Sequence, residues 1–230
     1  MAGRNLPTRK SSLVLNLTFS NQKTSARKVL CLGAHSDDIE IGCGGTVLRW
    51  LEEHTELEFH WVVLSSAGPR KKEARKSAEL FLQRAHKKRI VVENFRDGFF
   101  PYEGAEIKEY FEALKKTFLP DIVLSHYRDD RHQDHRLVSD LTWNTFRREL
   151  ILEYEIPKYD GDLGQPNLFV QLTEAVCRRK IQHILQIFKT QVEKHWLTED
   201  TLRALLRLRG VEACAPGKYA EAFYCRKITL

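Results

Sequence analysis

The sequence predicts an α/β fold: a Rossmann-like three-layer sandwich around a mostly parallel sheet, with a functional site at the carboxyl edge of the strands. Three observations predict it. Apolar runs alternate with amphipathic stretches through the first 150 residues, the signature of strand–helix–strand crossovers. Four such repeats fit right-handed connections with helices on both faces. Two polar clusters, residues 35–40 and 126–135, each directly follow an apolar run. In sheets of this kind ligands bind outside the carboxyl ends of the strands.

The elements follow in order. RKVLCLGA (27–34) reads as a buried strand. GGTVLRWLEEH (44–54) has helical spacing at Val47, Leu48 and Leu51. LEFHWVVLSS (57–66) is the next strand, KKEARKSAELFLQRAH (71–86) a helix and RIVVENF (89–95) a third strand. DGFFPYEG (97–104) is a loop bearing Phe99, Phe100 and Tyr102. These rings suit either stacking on a sugar or wedging the loop onto the sheet. AEIKEYFEALKKTF (105–118) is helical, Pro120 ends it, and DIVLSH (121–126) is the fourth strand.

YRDDRHQDH (127–135) is a polar loop, and RLVSDLTWNTFRREL (136–150) resumes helix. YEIPKYDGDLGQPN (154–167) is a punctuated loop. LFVQL (168–172) reads as strand, 173–191 and 198–210 as helices, and YAEAFYCRKI (219–228) as a closing strand. Residues 1–26 are expected to be an N-terminal arm or edge strand, and 27–230 a single domain.

Composition narrows the function classes. Hydrophobic content of 42% fits a globular chain. No apolar run is long enough to span a bilayer, and residues 1–28 lack the apolar core and cleavage site of a signal peptide. The five cysteines, Cys31, Cys43, Cys177, Cys214 and Cys225, are odd in number and include no C-x-x-C pair. Reduced thiols in a cytoplasmic protein are expected. The net charge of +6 is spread along the chain. It favours an anionic small molecule over nucleic acid as partner.

The two clusters carry the chemistry. His35 and Asp38 lie three apart, and His135 belongs to the same sheet edge. Two imidazoles and one carboxylate leave an open position on a bound ion, as catalytic Zn²⁺ requires. The same set suits Fe²⁺, so zinc is expected with iron or another divalent ion as alternative. Asp37, beside a ligand, is placed to act as general base. His132, held by Asp134, would protonate a leaving amine or steady an oxyanion. Metal, base and acid together suit hydrolysis of an amide or ester. His126 reads as a strand-end histidine, with an extra ligand or substrate contact as the alternative, and Glu40 as either a helix cap or a group hydrogen-bonding around the site. His54, His60, His86, His183 and His195 lack partners at ligand spacing. The glycines of GCGG do not form G-x-G-x-x-G and follow an acidic cluster, so they are a poor phosphate site.

These residues also carry a resemblance. GAHSDDIEIGCGGT resembles the first motif of the LmbE/PIG-L family, A-H-P-D-D-x-E-x-x-x-G-G, and DRHQDHR resembles its second, R-H-P-D-H. RKKEARKSAELF, FRDGFF and YAEAF resemble further family segments, so the likeness covers roughly residues 27–226. The family comprises metal-dependent deacetylases of N-acetylglucosaminyl compounds. The resemblance implies that His35, Asp38 and His135 bind zinc and that Asp37 is the base. It implies that His132, oriented by Asp134, acts on the intermediate or leaving amine, and that Arg70 and Asp97 contact substrate. It also implies that assembly into homo-oligomers is common.

Ser36 and Gln133 stand where the family has proline. Proline fixes φ, so both loops are expected to be looser. The expected function is removal of an N-acetyl group from an N-acetylglucosamine-type amino sugar or conjugate. A metal-dependent amidohydrolase of a non-sugar N-acyl amine is the nearest alternative. A nucleotide- or nucleic-acid-binding module with a vestigial site is the alternative from another class.

Overall fold

The structure is a computed structural model describing residues 27–228. The arm or edge strand expected over 1–26 lies outside the described residues. Seven strands form one sheet in the order β3-β2-β1-β4-β5-β7-β6. The strands are β1 (Arg27–Gly33), β2 (Leu57–Val63), β3 (Lys87–Val92), β4 (Ile122–His126), β5 (Leu150–Tyr154), β6 (Leu168–Leu172) and β7 (Tyr219–Cys225). The helices are α1 (Asp38–Glu53), α2 (Gly68–Phe81), α3 (Gly104–Thr117), α4 (Gln133–Thr145), α5 (Glu174–Ile187) and α6 (Glu199–Glu212). Strands β1 to β5 run parallel, whereas β7 is antiparallel to both β5 and β6.

Alternate residues of β1 serve opposite faces. Val29 and Cys31 join a core with Val47 of α1, Phe81 of α2, Ile181 of α5 and Leu206 of α6. Leu30 and Leu32 join a second core with Phe111 of α3 and Val138 of α4. This is the expected three-layer arrangement. The strand order reverses between β1 and β4, so their carboxyl ends open a crevice at the switch point.

Two differences from the sequence reading bear on the site and its sheet. The helix expected through residue 150 ends at Thr145, and β5 follows it. A five-residue run such as LILEY is too short for periodicity to separate strand from helix. Pairing beside β4 decides it, with Leu152 meeting Leu124. Helix α1 begins at Asp38 rather than at 44. The acidic cluster therefore sits at a helix N-terminus, where carboxylates meet the positive end of the dipole.

The glycines after that cluster serve packing. A Cβ on Gly42 would lie 2.1 Å from the Tyr154 ring, whose hydroxyl donates to the Leu32 carbonyl at 2.6 Å. A Cβ on Gly45 would meet Glu221 Oε1 at 2.8 Å. Glu221 accepts from the Gly45 and Thr46 N–H groups at 2.7 and 2.6 Å. Buried Lys180 donates to Glu221 at 2.7 Å and to the Ile41 carbonyl at 2.6 Å. One ion pair thus grips α1 at mid-length from β7 and α5.

His60 of β2 is buried against Phe118, and neither ring nitrogen has a hydrogen-bond partner among the described residues. Burial, helped by Arg89, lowers its pKa to about 4. The folded state holds it neutral, whereas an unfolded histidine titrates near 6.5. Its contribution to stability is therefore complete above pH 6.5 and is lost as pH falls towards 4. The slope expected from this group is about 1.4 kcal/mol per pH unit. Urea unfolding at pH 7 and pH 5 should show a smaller loss in His60→Leu than in wild type. Equal losses would remove His60 as the cause.

Candidate metal and catalytic site

The loop 34–37 after β1 and the segment 127–132 after β4 meet at the switch point. His35 Nδ1, His135 Nε2 and Asp38 Oδ2 converge there. The two nitrogens are 3.1 Å apart, and Asp38 Oδ2 lies 3.4 Å from His35 Nδ1 and 3.5 Å from His135 Nε2. All three side chains are buried. Asp38 is also fixed locally, because its Oδ2 accepts from the His35 N–H at 2.6 Å.

The outer nitrogens of both rings face carboxylates. His35 Nε2 lies 3.2 Å from Asp134 Oδ2 and 3.1 Å from Asp97 Oδ1. His135 Nδ1 lies 2.9 Å from Asp130 Oδ2. With protons on those outer nitrogens, bare lone pairs of Nδ1 and Nε2 face each other beside a carboxylate. Such a set repels itself unless a cation or a proton intervenes. Donor atoms about 2.0–2.1 Å from a tetrahedral Zn²⁺ would be about 3.4 Å apart, so the spacing fits. Each ring with a carboxylate behind it matches the support that metal-binding histidines receive.

The charges follow the same geometry. Burial opposes ionisation of Asp38, but His135, His126 and His35 outweigh it and hold its pKa well below the usual range. Burial also opposes charge on His35, yet Asp38 and the bonds to Asp134 and Asp97 raise its pKa well above the usual value. Burial and His126 lower His135 to about 4, against the pull of Asp38 and Asp130.

Asp37, the N-terminal flanking residue of α1, accepts from Arg70 Nη2 at 3.3 Å. Burial and the neighbouring Asp38 raise its pKa, while Arg70 and His35 oppose the rise. Arg70 Nη1 also lies 3.8 Å from Asp97 Oδ2. The eight residues singled out from the sequence are therefore drawn to one place, although some contacts differ from expectation.

The expected pairing of Asp134 with His132 is corrected. The Asp134 carboxylate accepts from the Gly98 N–H at 2.7 Å and the Phe100 N–H at 3.1 Å, besides facing His35. His132 Nδ1 instead accepts from the Asp134 backbone N–H at 3.3 Å, because His132 is the N-cap of α4. That bond leaves Nε2 as the proton-bearing nitrogen. Burial and His35 lower the His132 pKa, so the ring is neutral near pH 7.

The expected loosening at Ser36 and Gln133 is also corrected. Ser36 Oγ donates to Ser66 Oγ at 2.7 Å, both buried. Gln133 Nε2 donates to the Gly98 carbonyl at 3.1 Å. Each polar side chain ties its loop to the loop after a neighbouring strand.

The sequence reading misses Asp130 and leaves His126 and Glu40 between two roles. Asp130 holds His135 and is itself held by Lys158 Nζ at 2.9 Å, which also reaches Asp162 at 2.5 Å. In the sequence Asp130 is one acid among several in YRDDRHQDH. His126 is part of the cluster rather than a bystander. Its Nε2 accepts from the Ala34 N–H at 2.9 Å, lies 3.3 Å from Asp38 Oδ2, and its ring stacks on His135 at 4.0 Å. Its place at the end of β4, beside β1, was the available signal. Glu40 is fully buried beside Ser77 behind the site, and burial raises its pKa well above the usual value. Phe100 is buried as a wedge, whereas Phe99 is partly exposed under the Arg96 guanidinium.

A family model described as GlcNAc-PI de-N-acetylase matches residues 30–146, about half of the chain. The chain belongs to the PIG-L family. A PIG-L relative, the diacetylchitobiose deacetylase of Thermococcus kodakarensis, is 27% identical over 146 residues. That match covers 55% of this chain and about half, 52%, of the relative. The fold is shared with the N,N'-diacetylchitobiose deacetylase of Pyrococcus horikoshii, with a TM-score of 0.64 and 23% identity over 87% of this chain and 84% of that one. It is shared equally with the 4-carboxy-2-hydroxymuconate hydratase of Pseudomonas putida KT2440, with a TM-score of 0.69 and 17% identity over 89% and 98%. The PIG-L fold therefore hosts more than one reaction, and the site residues must decide between them.

Replacing Asp130 by Ala should release His135 and leave buried Lys158 with Asp162 alone. Zinc affinity, read by competition with a chromophoric chelator, should fall about 10- to 100-fold. Unchanged affinity would show that Asp130 does not support the donor set.

Proposed function

We propose that this protein is a metal-dependent hydrolase that removes the N-acetyl group from an N-acetylglucosamine-type amino sugar or conjugate. The observation that carries this reading is the convergence of His35 Nδ1, His135 Nε2 and Asp38 Oδ2 beside a carboxylate, Asp37, that is not one of the three. Membership of a family with deacetylase relatives supports it.

The three convergent donors would hold the ion, and zinc suits two nitrogens and one oxygen. Bound there, a divalent metal would supply Lewis acidity towards the acetamide carbonyl and would lower the pKa of water to about 7. The chain's own residues supply the remainder. Asp37, raised by burial and oriented by Arg70, accepts the proton of the attacking water. The water oxygen bonds to the carbonyl carbon, and the carbon–nitrogen bond breaks. His132, with its proton on Nε2, donates to the developing oxyanion. The proton taken by Asp37 then passes to the departing amine, so acetate and a free amino sugar are released. Arg70 and Asp97 hydrogen-bond the sugar hydroxyls in this reading. The overall charge of +6 favours a phosphorylated or otherwise anionic conjugate.

Among the described residues no helix is long and apolar enough to cross a membrane. We place the enzyme in the cytoplasm, because its three core cysteines Cys31, Cys43 and Cys177 are unpaired and buried.

Asp37→Ala should lower kcat about 100- to 10,000-fold while the metal content measured by elemental analysis stays at the wild-type level. His135→Ala should lose the metal. Amine release is followed on a panel of N-acetyl sugars and non-sugar N-acyl amines. Failure of the wild type to take up any metal on reconstitution would sink the hydrolase reading. Turnover of only the non-sugar amides would move the substrate class.

A further inference from the structure

Gln133 is the first residue of α4, immediately before Asp134. Its amide donates to the Gly98 carbonyl at 3.1 Å, while the Asp134 carboxylate accepts from the Gly98 N–H at 2.7 Å. Two consecutive side chains of one helix turn therefore hold both ends of the same residue. Gly98 has a φ of +79°, a conformation that other residues rarely adopt, so the chain reverses sharply there. The grip decides where the neighbours of Gly98 stand.

Upstream, Asp97 reaches His35 Nε2 at 3.1 Å and Arg70 Nη1 at 3.8 Å. Downstream, Phe99 lies with the Arg96 guanidinium 3.4 Å from its ring centroid. Burial fixes neither one. The Asp97 side chain is 58% exposed and Phe99 is 38% exposed. An exposed carboxylate and an exposed ring two residues apart, at the rim of the donor cluster, are the chemistry that binds a pyranose. The carboxylate accepts from hydroxyls, and the ring packs against the C–H face.

We propose that Gln133 is a positioning residue for substrate recognition, fixing the Asp97–Phe100 loop as the wall that receives the sugar, separately from the ion-binding donors. The proposal rests on the deacetylase reading for its substrate class. The clamp itself stands on the geometry alone.

The test uses Gln133→Pro and Gln133→Ala in the full chain. Proline is favoured at the first position of a helix. His132 before it already has the extended backbone, ψ 123°, that a following proline requires. Both variants should therefore keep α4 while losing the donor. Hydrogen exchange of the amides over residues 97–103 should quicken roughly fivefold, the equilibrium effect of one lost hydrogen bond. KM for the hydrolysed N-acetyl sugar should rise about five- to tenfold with kcat within about twofold, as expected when ground-state binding alone is lost. Metal content should match wild type.

Unchanged exchange in both variants would overturn the clamp. Faster exchange with unchanged KM would overturn its role in recognition, and loss of metal would place Gln133 in the ion site instead. If the wild type releases amine from no N-acetyl sugar, the deacetylase reading fails and the recognition role falls with it. The exchange measurement still decides the clamp.

Discussion

Strands β1 and β4 lie side by side in parallel, although about ninety residues separate them in the chain, and the site depends on that adjacency. The strand order reverses between them, so the two loops leaving their carboxyl ends turn towards opposite faces and open a crevice. One loop delivers His35, Asp37 and Asp38; the other delivers Asp130, His132, Asp134 and His135. Neither loop alone holds a complete donor set. The approach of the two, 3.1 Å from His35 Nδ1 to His135 Nε2, is made by strand pairing and not by any local motif.

The crevice is an assembly of buried charges that stabilise one another. Asp38 stays ionised although buried because three imidazoles surround it. His35 and His135 are each backed by a carboxylate, and Lys158 compensates the one behind His135. Removing a partner from such a network leaves another group buried and uncompensated, which costs several kcal/mol. Asp37 differs, since burial and Asp38 push its pKa up against the opposing pull of Arg70, His35 and a backbone hydrogen bond. Two adjacent carboxylates thereby acquire different protonation behaviour, one suited to holding a cation and the other to accepting a proton.

Support reaches this centre from the whole sheet. The hydroxyl of Tyr154 on β5 ties to Leu32 of β1, and its ring rests where Gly42 leaves room on α1. Glu221 of β7 and Lys180 of α5 hold the middle of α1, whose first residue is Asp38. Strand β7 runs against its neighbours, at a distance from the donor cluster in strand order. Its carboxylate nevertheless sets the line along which α1 presents its N-terminus.

The sequence by itself determined the fold class, because alternating apolar runs and amphipathic stretches leave few other ways to bury them. It also determined which residues gather, since both polar clusters follow strands and so belong to one edge. It could not decide the pairing within the cluster. Asp134 and His132 are two apart in sequence, yet the Asp134 carboxylate serves His35 and the Gly98–Phe100 backbone. Asp130 and Asp134 look alike in YRDDRHQDH, and only the tertiary structure gives one to His135 and the other to His35. The short strand β5, and His126 as a member of the cluster, likewise emerged only once β4 had neighbours on both sides. Local pattern records which side chains favour an edge or an interior. Which atoms finally meet is set by strand order and by hydrogen bonds between residues far apart in the chain.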